Sequence, residues 1–452
     1  MTLRPQGSGP TMTGARAIAQ GLFWTGLYLA LVAAPLAVLL LGTPPAARGF
    51  WRELSAALGY AGMAMTGIQF ALTARFRHAA APFGIDILYY FHRTVALMGA
   101  GIVAAHVVIL FVIDPRTLGL LNVLRAPWRA RAAVAAACAL AVLIAASLVR
   151  KRLGIGYESW RRWHGILATA AVLAALAHIE LVSHYIEAPW KRVLWTVYAV
   201  CWIGLLLHVR LLRPWSQLRH PYVVEAVSRE RGSAWTVVVR PEGHRGLSFL
   251  PGQFAWLTAG VSPFAVEEHP FSFSSSAAER GRLAFTIKEL GDFTRRIGEM
   301  WPGQRIYLDG PHGAFTPDRH PAPGYVLIAG GVGITPMMSI LRTFADRDDG
   351  RPVLLVYANR TWEEVTFREE LDALQQQLPL KVVHVLERPP EGWTGERGFV
   401  TVELLDRLLP AERRDRHYFL CGPDPMRLAV ERALYRLRVP LGRVHAERFN
   451  LV

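Results

Sequence analysis

The chain has 452 residues, 52% of them hydrophobic, and a formal net charge of +15. That length exceeds one ordinary domain and suggests about three units. Residues 1–214 hold twenty Lys and Arg against six acids, while the remainder is close to neutral; cations confined to the flanks of apolar runs orient a membrane protein and exclude a nucleic-acid surface.

The first apolar run, Leu22 to Leu41, follows Arg4 and Arg16 and is longer than a signal-peptide core, so it reads as a retained span. Six stretches approach the length needed to cross hydrocarbon: 18–42, 54–74, 86–112, 132–149, 163–183 and 193–212. Basic residues at Arg75/Arg77, Arg150 to Arg152, Arg161/Arg162 and Arg210/Arg213/Arg219 would share one side, which the positive-inside rule makes the cytoplasm. The expected location is the plasma (inner) membrane, with the N-terminus and the soluble half cytoplasmic. Cys138, Cys201 and Cys421 have no metal-type spacing, which argues against a disulfide framework or a zinc site built on cysteine.

The third span carries His92 and His106, and the fifth carries His164 and His178. Fourteen residues are two heptads, which drift by only ~40° around a helix. They advance ~21 Å along it. Spans three and five run parallel, so His92 is expected level with His164 and His106 level with His178. Each level can hold one haem iron between two imidazoles, because ionisable residues at membrane depth are rare and usually functional. Arg93, Arg161 and Arg162 lie near the inner level, where guanidinium groups suit haem propionates.

After Pro214 the pattern changes to short alternating segments such as Tyr222 to Ala226, Ala234 to Val239 and Leu283 to Lys288, which predict a small antiparallel barrel to about residue 320. Within it, Pro251-Gly252-Gln253-Phe254 precedes His269-Pro270-Phe271-Ser272. A flavin needs a flat apolar seat and a hydroxyl near its redox-active nitrogen, and Phe271 and Ser272 offer both. Pro270 would be awkward in a central strand. Further on, Lys288, Gly291 and Thr294 lie where a strand is expected to run into a helix, an arrangement that can receive a phosphate.

From Tyr325 onward, apolar strands (325–329, 353–358, 381–386, 417–421) alternate with helical stretches (334–345, 363–376, 401–409, 424–436), which predicts a doubly wound parallel sheet. Gly330-Gly331-Val332-Gly333-Ile334-Thr335-Pro336 follows the first of these strands, with Thr335 expected to cap the next helix. A glycine turn feeding a helix start is an anion site. Cys421-Gly422-Pro423 ends a later strand. Arg360 after the second strand can pair with a 2′-phosphate, while Glu363 and Glu364 argue against one, so NADPH is expected with NADH as the alternative.

Together these motifs resemble the ferric reductase and NADPH oxidase superfamily over nearly the whole chain. The resemblance implies a six-span haem domain (1–214), an FAD-binding β-barrel (215–320) and an NAD(P)-binding α/β domain (321–452). It implies two haem b groups on His92, His106, His164 and His178, and FAD on His269, Pro270, Phe271, Ser272, Lys288, Gly291 and Thr294. It places Cys421, Gly422 and Pro423 beside the nicotinamide, and makes Phe449, in Glu447-Arg448-Phe449, an aromatic cover for the flavin. Electrons would pass from NAD(P)H to an external acceptor: dioxygen giving superoxide, a ferric chelate or a periplasmic redox protein. Three alternatives remain open: a proton channel or sensor built on the histidine bundle, a flavin reductase merely anchored by its helices, and an electron-donating subunit that needs a bound partner.

Overall fold

A computed structural model describes residues 14–42, 46–75, 85–265 and 267–447. The described residues separate into two compact units, one holding Ile18–Pro214 and the other beginning at Trp215.

The first unit is helical: α1 (Gly14–Leu40), α2 (Phe50–Thr73), α3 (Ile85–Ile113), α4 (Trp128–Val149), α5 (Tyr157–Val182) and α6 (Pro189–Leu207), followed by a short α7 (Arg213–Arg219). Among the described residues, five helices are long and apolar enough to cross a membrane, and this is a multi-pass membrane protein. The expected second span is present as α2 but is not among the five. Its Arg52, Glu53, Ser55 and Gln69 dilute its hydropathy, and it is the most enclosed helix, with Ser55, Tyr60, Met63, Ala64, Met65, Ile68 and Gln69 buried.

The expected sixth span also differs, since helix runs on past residue 212 to Arg219 through a wider turn at His208–Leu212. Pro214 has no N–H to give a regular helix, and a π-type turn just before it absorbs the mismatch. Close packing joins α2 to α3 and α4 to α5, while α3 and α5 pack mainly on other helices. Glycines permit this closeness: a Cβ on Gly62 would stand 2.7 Å from Val103, and one on Gly67 only 2.1 Å from the Trp202 ring. Small residues at such crossings let helices associate where lipid offers no hydrophobic drive. Polar clips add to them. Tyr198 donates to the Leu31 carbonyl (2.5 Å), buried Lys191 to that of Leu39 (3.1 Å), and Arg52 pairs with Asp114 at 2.9 Å.

The second unit begins with an antiparallel sheet of β1 (Tyr222–Glu230), β2 (Ala234–Pro241), β3 (Phe254–Ala259), β4 (His269–Ser272), β5 (Leu283–Lys288) and β6 (Arg305–His312), with a single-turn α8 (Asp292–Arg295) after β5. Its order is β4-β3-β6-β1-β2-β5. A bridge between Phe273 and Phe285 brings the two edges together around Val237, Val239, Leu257, Phe285 and Ile306. Pro270 lies in β4, an edge strand paired with β3, where its missing donor is tolerated.

The rest is a parallel sheet: β7 (Tyr325–Gly330), α9 (Ile334–Asp346), β8 (Val353–Asn359), α10 (Arg368–Gln377), β9 (Leu380–Leu386), β10 (Glu396–Arg397), α11 (Val402–Leu408), β11 (His417–Cys421), α12 (Asp424–Arg436) and β12 (Val444–Glu447). The order β10-β9-β8-β7-β11-β12 reverses direction between β7 and β11, which makes that crevice a topological switch point. Helix α10 starts at Arg368 rather than 363, because Phe367 takes a left-handed φ of 60° that interrupts the helix. The two sheets are joined tightly within this unit. Arg342 donates to the Ser274 carbonyl (2.6 Å) and Thr366 to that of Arg231 (3.0 Å), and a Cβ on Gly232 would sit 2.7 Å from the Glu364 carbonyl.

Candidate functional site

In the helical unit, His92 and His106 lie on α3 and His164 and His178 on α5, all four half-buried. The His92 and His164 rings lie with centroids 6.3 Å apart and planes at 64°. Two imidazoles sharing one metal at about 2 Å per bond place their centroids about 6 Å apart, so the spacing fits an ion between them. His178 is near enough to His106 for the two rings to interact electrostatically.

The other ring nitrogens decide what these histidines offer. His106 Nδ1 is 2.7 Å from the Ser55 carbonyl and His178 Nδ1 is 2.9 Å from the Arg129 carbonyl. A carbonyl only accepts, so each Nδ1 carries the proton and each Nε2 keeps its lone pair. For His164, Nδ1 lies 3.2 Å from Ser147 Oγ, whose own proton goes to the Leu143 carbonyl and which also receives Trp160 Nε1. That hydroxyl can therefore only accept, and His164 is held in the same tautomer. Fixing the far nitrogen of a ligating histidine in this way orients it and raises its basicity. His92 is the exception, its buried Nδ1 having no hydrogen-bond partner. Three locked tautomers and one pair at metal-bridging distance suit haem iron.

These locks were missed in reading the sequence. Ser55 and Ser147 are polar residues inside apolar helices, which was the available signal; the Arg129 carbonyl left none. Arg210 also lies at the level of His164, since a Cβ on Gly165 would meet its guanidinium at 2.2 Å. Arg93 and Arg162 are exposed, and Arg161 is partly buried.

In the antiparallel sheet, His269 stacks on Phe293 (centroids 4.0 Å, planes 21° apart) and Phe271 lies parallel to the same ring at 6.0 Å. Ser272 is buried with its hydroxyl unpartnered. An orphaned buried hydroxyl costs about 1–3 kcal/mol, and a flavin edge would satisfy it. The expected phosphate loop is altered. The helix after Gly291 is one turn long and begins with Asp292, so its dipole adds little for an anion. Thr294 Oγ1 accepts from the Leu290 and Gly291 amides and donates back to the Gly291 carbonyl, capping its own turn. Lys288 is 3.8 Å from Glu364.

At the switch point the β7–α9 and β11–α12 loops interlock. A Cβ on Gly333 would stand 2.2 Å from the Cys421 carbonyl oxygen, and one on Gly330 would be 2.4 Å from Met426 Sδ. Gly422 lies directly against the Gly330 backbone, and Gly331 takes a positive φ of 52°. Helix α9 starts at Ile334, one residue before the expected cap. Thr335 instead bonds the Val332 (2.9 Å) and Thr286 (3.2 Å) carbonyls, tying the turn to β5, and Pro336 fits the first turn, where no N–H is needed. Cys421 is fully buried at the end of β11, and burial, with Glu447 opposite it on β12, pushes its thiol well above the usual range. Pro423 caps α12. Arg360 is exposed beyond the end of β8. Phe449 lies outside the described residues.

Comparison with known proteins agrees with this division. The family described as "Ferric reductase like transmembrane component" matches residues 58–175, and "Oxidoreductase NAD-binding domain" matches residues 327–432. The chain is similar to NADH-cytochrome b5 reductase 1 of Mortierella alpina, 30% identical over 274 residues covering 59% of this chain and 88% of that protein. It is similar to NADH-cytochrome b5 reductase 1 of Debaryomyces hansenii, 38% identical over 164 residues covering 35% of this chain and 58% of that one, little more than half that relative's length. Among solved structures, the flavohem-like FAD/NAD binding domain of nitric oxide dioxygenase from Vibrio cholerae O1 biovar El Tor is 25% identical, covering 50% of this chain and 97% of that chain with a TM-score of 0.45.

Proposed function

Because the chain belongs to the ferric reductase and NADPH oxidase-like superfamily, we propose that it moves electrons from cytoplasmic NAD(P)H across the plasma (inner) membrane to dioxygen or ferric iron. The observation that supports this reading is that three of the four histidines, His106, His164 and His178, have Nδ1 tied down so that Nε2 is left for a metal, with His92 6.3 Å from His164 ring to ring. A flavin, when bound, turns a hydride into single electrons, and haem iron carries them one at a time.

The residues divide the work of binding and orientation. His92 with His164, and His106 with His178, would each hold one b-type haem. Phe271, Phe293 and His269 give FAD an apolar seat, and Ser272 donates its unpartnered hydroxyl to the ring. Gly330, Gly331 and Gly333 would let the backbone close around a pyrophosphate at the start of α9, and the Gly422–Pro423 turn, packed on Gly330, would carry the nicotinamide beside the neutral Cys421 thiol. Arg360 at the end of β8 favours NADPH over NADH. Lys288 and the Gly291 turn are the proposed flavin phosphate contacts, and both must exchange a partner, Glu364 and Thr294 respectively, to reach the phosphate.

The test is an anaerobic absorbance spectrum of the purified full chain with NADPH or NADH added, followed by separate admission of oxygen and ferric citrate. A Soret band that shifts on reduction and reoxidises with one acceptor supports the reading and names the acceptor. A preparation without Soret absorbance, despite haem supply during expression, overturns it.

A further inference from the structure

Away from the switch point, three histidines from three separate elements meet. His320 ends the turn Pro317–Arg319 that leads from the antiparallel sheet to the parallel one, His417 opens β11, and His445 lies in β12. All three are half-buried, and one nitrogen from each lies within 4.8 Å of the other two. His417 Nδ1 is 2.8 Å from His445 Nε2. The His320 ring is stacked on His445 with centroids 3.9 Å apart. We propose that His320, His417 and His445 form a binding site for a borderline divalent transition-metal ion of the zinc class, separate from the nucleotide and haem positions.

The chemistry of the donors selects that class. The set offers imidazole nitrogen only, without a carboxylate, which suits zinc, copper or nickel and disfavours magnesium, calcium or ferric iron, which prefer oxygen. The contact between His417 Nδ1 and His445 Nε2 already requires one of the two nitrogens to be a bare acceptor, with a lone pair to give. The short contact between His417 and His445 shares one proton. A metal in its place moves that proton to the far nitrogen of the same ring, a change of tautomer with no net loss.

The movement required is small for two of the rings. Nitrogens bound tetrahedrally at about 2.0–2.1 Å stand about 3.4 Å apart, so His417 and His445 open by roughly half an ångström. His320, on an irregular turn, swings out of its stack to complete the set. Arg319 and Arg443 lie close to His320 and His417 and oppose a dication, but Arg443 donates to the Asp415 carbonyl and pairs with the Asp415 carboxylate at 3.8 Å. Four residues of strand at about 3.3 Å each separate His417 from Cys421, so the ion would sit at the opposite end of β11 from the nicotinamide. There it would staple the turn between the two sheets to the last strand pair.

The experiment uses the full chain in detergent, purified on a tag without histidine, stripped with chelator, loaded with zinc and desalted. Metal content by mass spectrometry and the zinc K-edge absorption spectrum are then read. Expected are one zinc per chain beyond that of the His417→Gln/His445→Gln variant, imidazole scattering from two or three rings, no competition from magnesium, and at least about tenfold weaker binding in His320→Ala. Flavin content reports whether each variant is folded. Equal zinc in wild type and a folded double variant overturns the proposal. Should that variant not fold, the wild-type spectrum decides: an oxygen-dominated shell overturns the site, and an imidazole shell supports it.

Discussion

The two units hold their sites by opposite means. In the helical unit many large apolar side chains point outward, Leu22, Met98, Val112 and Val200 among them, and a small buried cluster around Tyr60, Trp195 and Trp202 is supplemented by glycine contacts and polar clips. In the reductase unit Tyr325, Phe344, Phe419 and Leu355 are fully buried in a continuous core. In lipid, apolar area gives no reason for helices to associate. Side-chain positions there follow from helix geometry and a few hydrogen bonds to backbone carbonyls. The reductase unit has a conventional core, so its candidate site is free to be made of loops: the Gly330–Gly333 turn, the Cys421–Pro423 turn and the Gly291 turn. One consequence is that damage to either site should leave the other unit standing.

The sharpest way to break that comparison is His178→Ala. It removes one proposed Nε2 ligand and the bond to the Arg129 carbonyl, which itself contributes only about 1 kcal/mol. Reduction of the external acceptor is expected to fall by more than about 100-fold, since a lost ligand costs more than a lost outer-shell partner. The Soret amplitude should drop with it, while NAD(P)H-driven reduction of a soluble dye by the reductase unit stays unchanged. Equal loss of both activities would mean that the units do not act separately. Full retention of acceptor reduction would leave the helices as a mere anchor.

The next effect separates stability from function inside the reductase unit. Ser272→Ala deletes a buried hydroxyl that has no partner, so the flavin-free protein should gain about 1 kcal/mol and melt at a higher temperature. With flavin present the same change removes one donor, and hydride transfer from NAD(P)H should slow by about tenfold, worth about 1.4 kcal/mol. Stopped-flow flavin reduction and melting curves of both forms check the two signs. A variant less stable without flavin would show that Ser272 serves the core.

Legibility followed the same divide. The pairs at 92/106 and 164/178 could be read because fourteen residues of helix return a side chain to nearly the same face, and the structure sets His92 opposite His164. The glycine turn after β7 and the alternation of strand and helix were equally visible, and the doubly wound sheet is there. Hidden were the features that depend on neighbours distant in sequence. Ser55 and His106 are 51 residues apart, and His178 uses a backbone carbonyl 49 residues away. The local details of the loops also escaped: α9 begins at Ile334 because Thr335 turns its hydroxyl to the Val332 and Thr286 carbonyls, and Thr294 caps its own turn. His320, His417 and His445 have no common spacing at all: the β11–β12 pairing gathers the last two, and the turn after Pro317–Arg319 brings His320 onto them.

The smallest expected effect concerns Cys421, where the fully enclosed core meets the proposed hydride path. Burial and the neighbouring Glu447 raise its thiol well above the ordinary range, so the neutral form persists through physiological pH. A rate that relies on the neutral thiol is therefore flat with rising pH until the raised pKa is reached, and falls only beyond it; a rate that relied on thiolate would instead climb with pH. Cys421→Ala should cost a few-fold in kcat, about 1 kcal/mol or less, without changing the shape of the profile between pH 6 and 9. The measurement is kcat for dye reduction against pH in both proteins, beside iodoacetamide labelling of Cys421, which should stay slow over the same range because the reactive species is the thiolate. A rising limb near pH 8 that vanishes in the alanine variant would transfer the role from thiol to thiolate. It would also show that the end of β11 is open to water, unlike the core behind it.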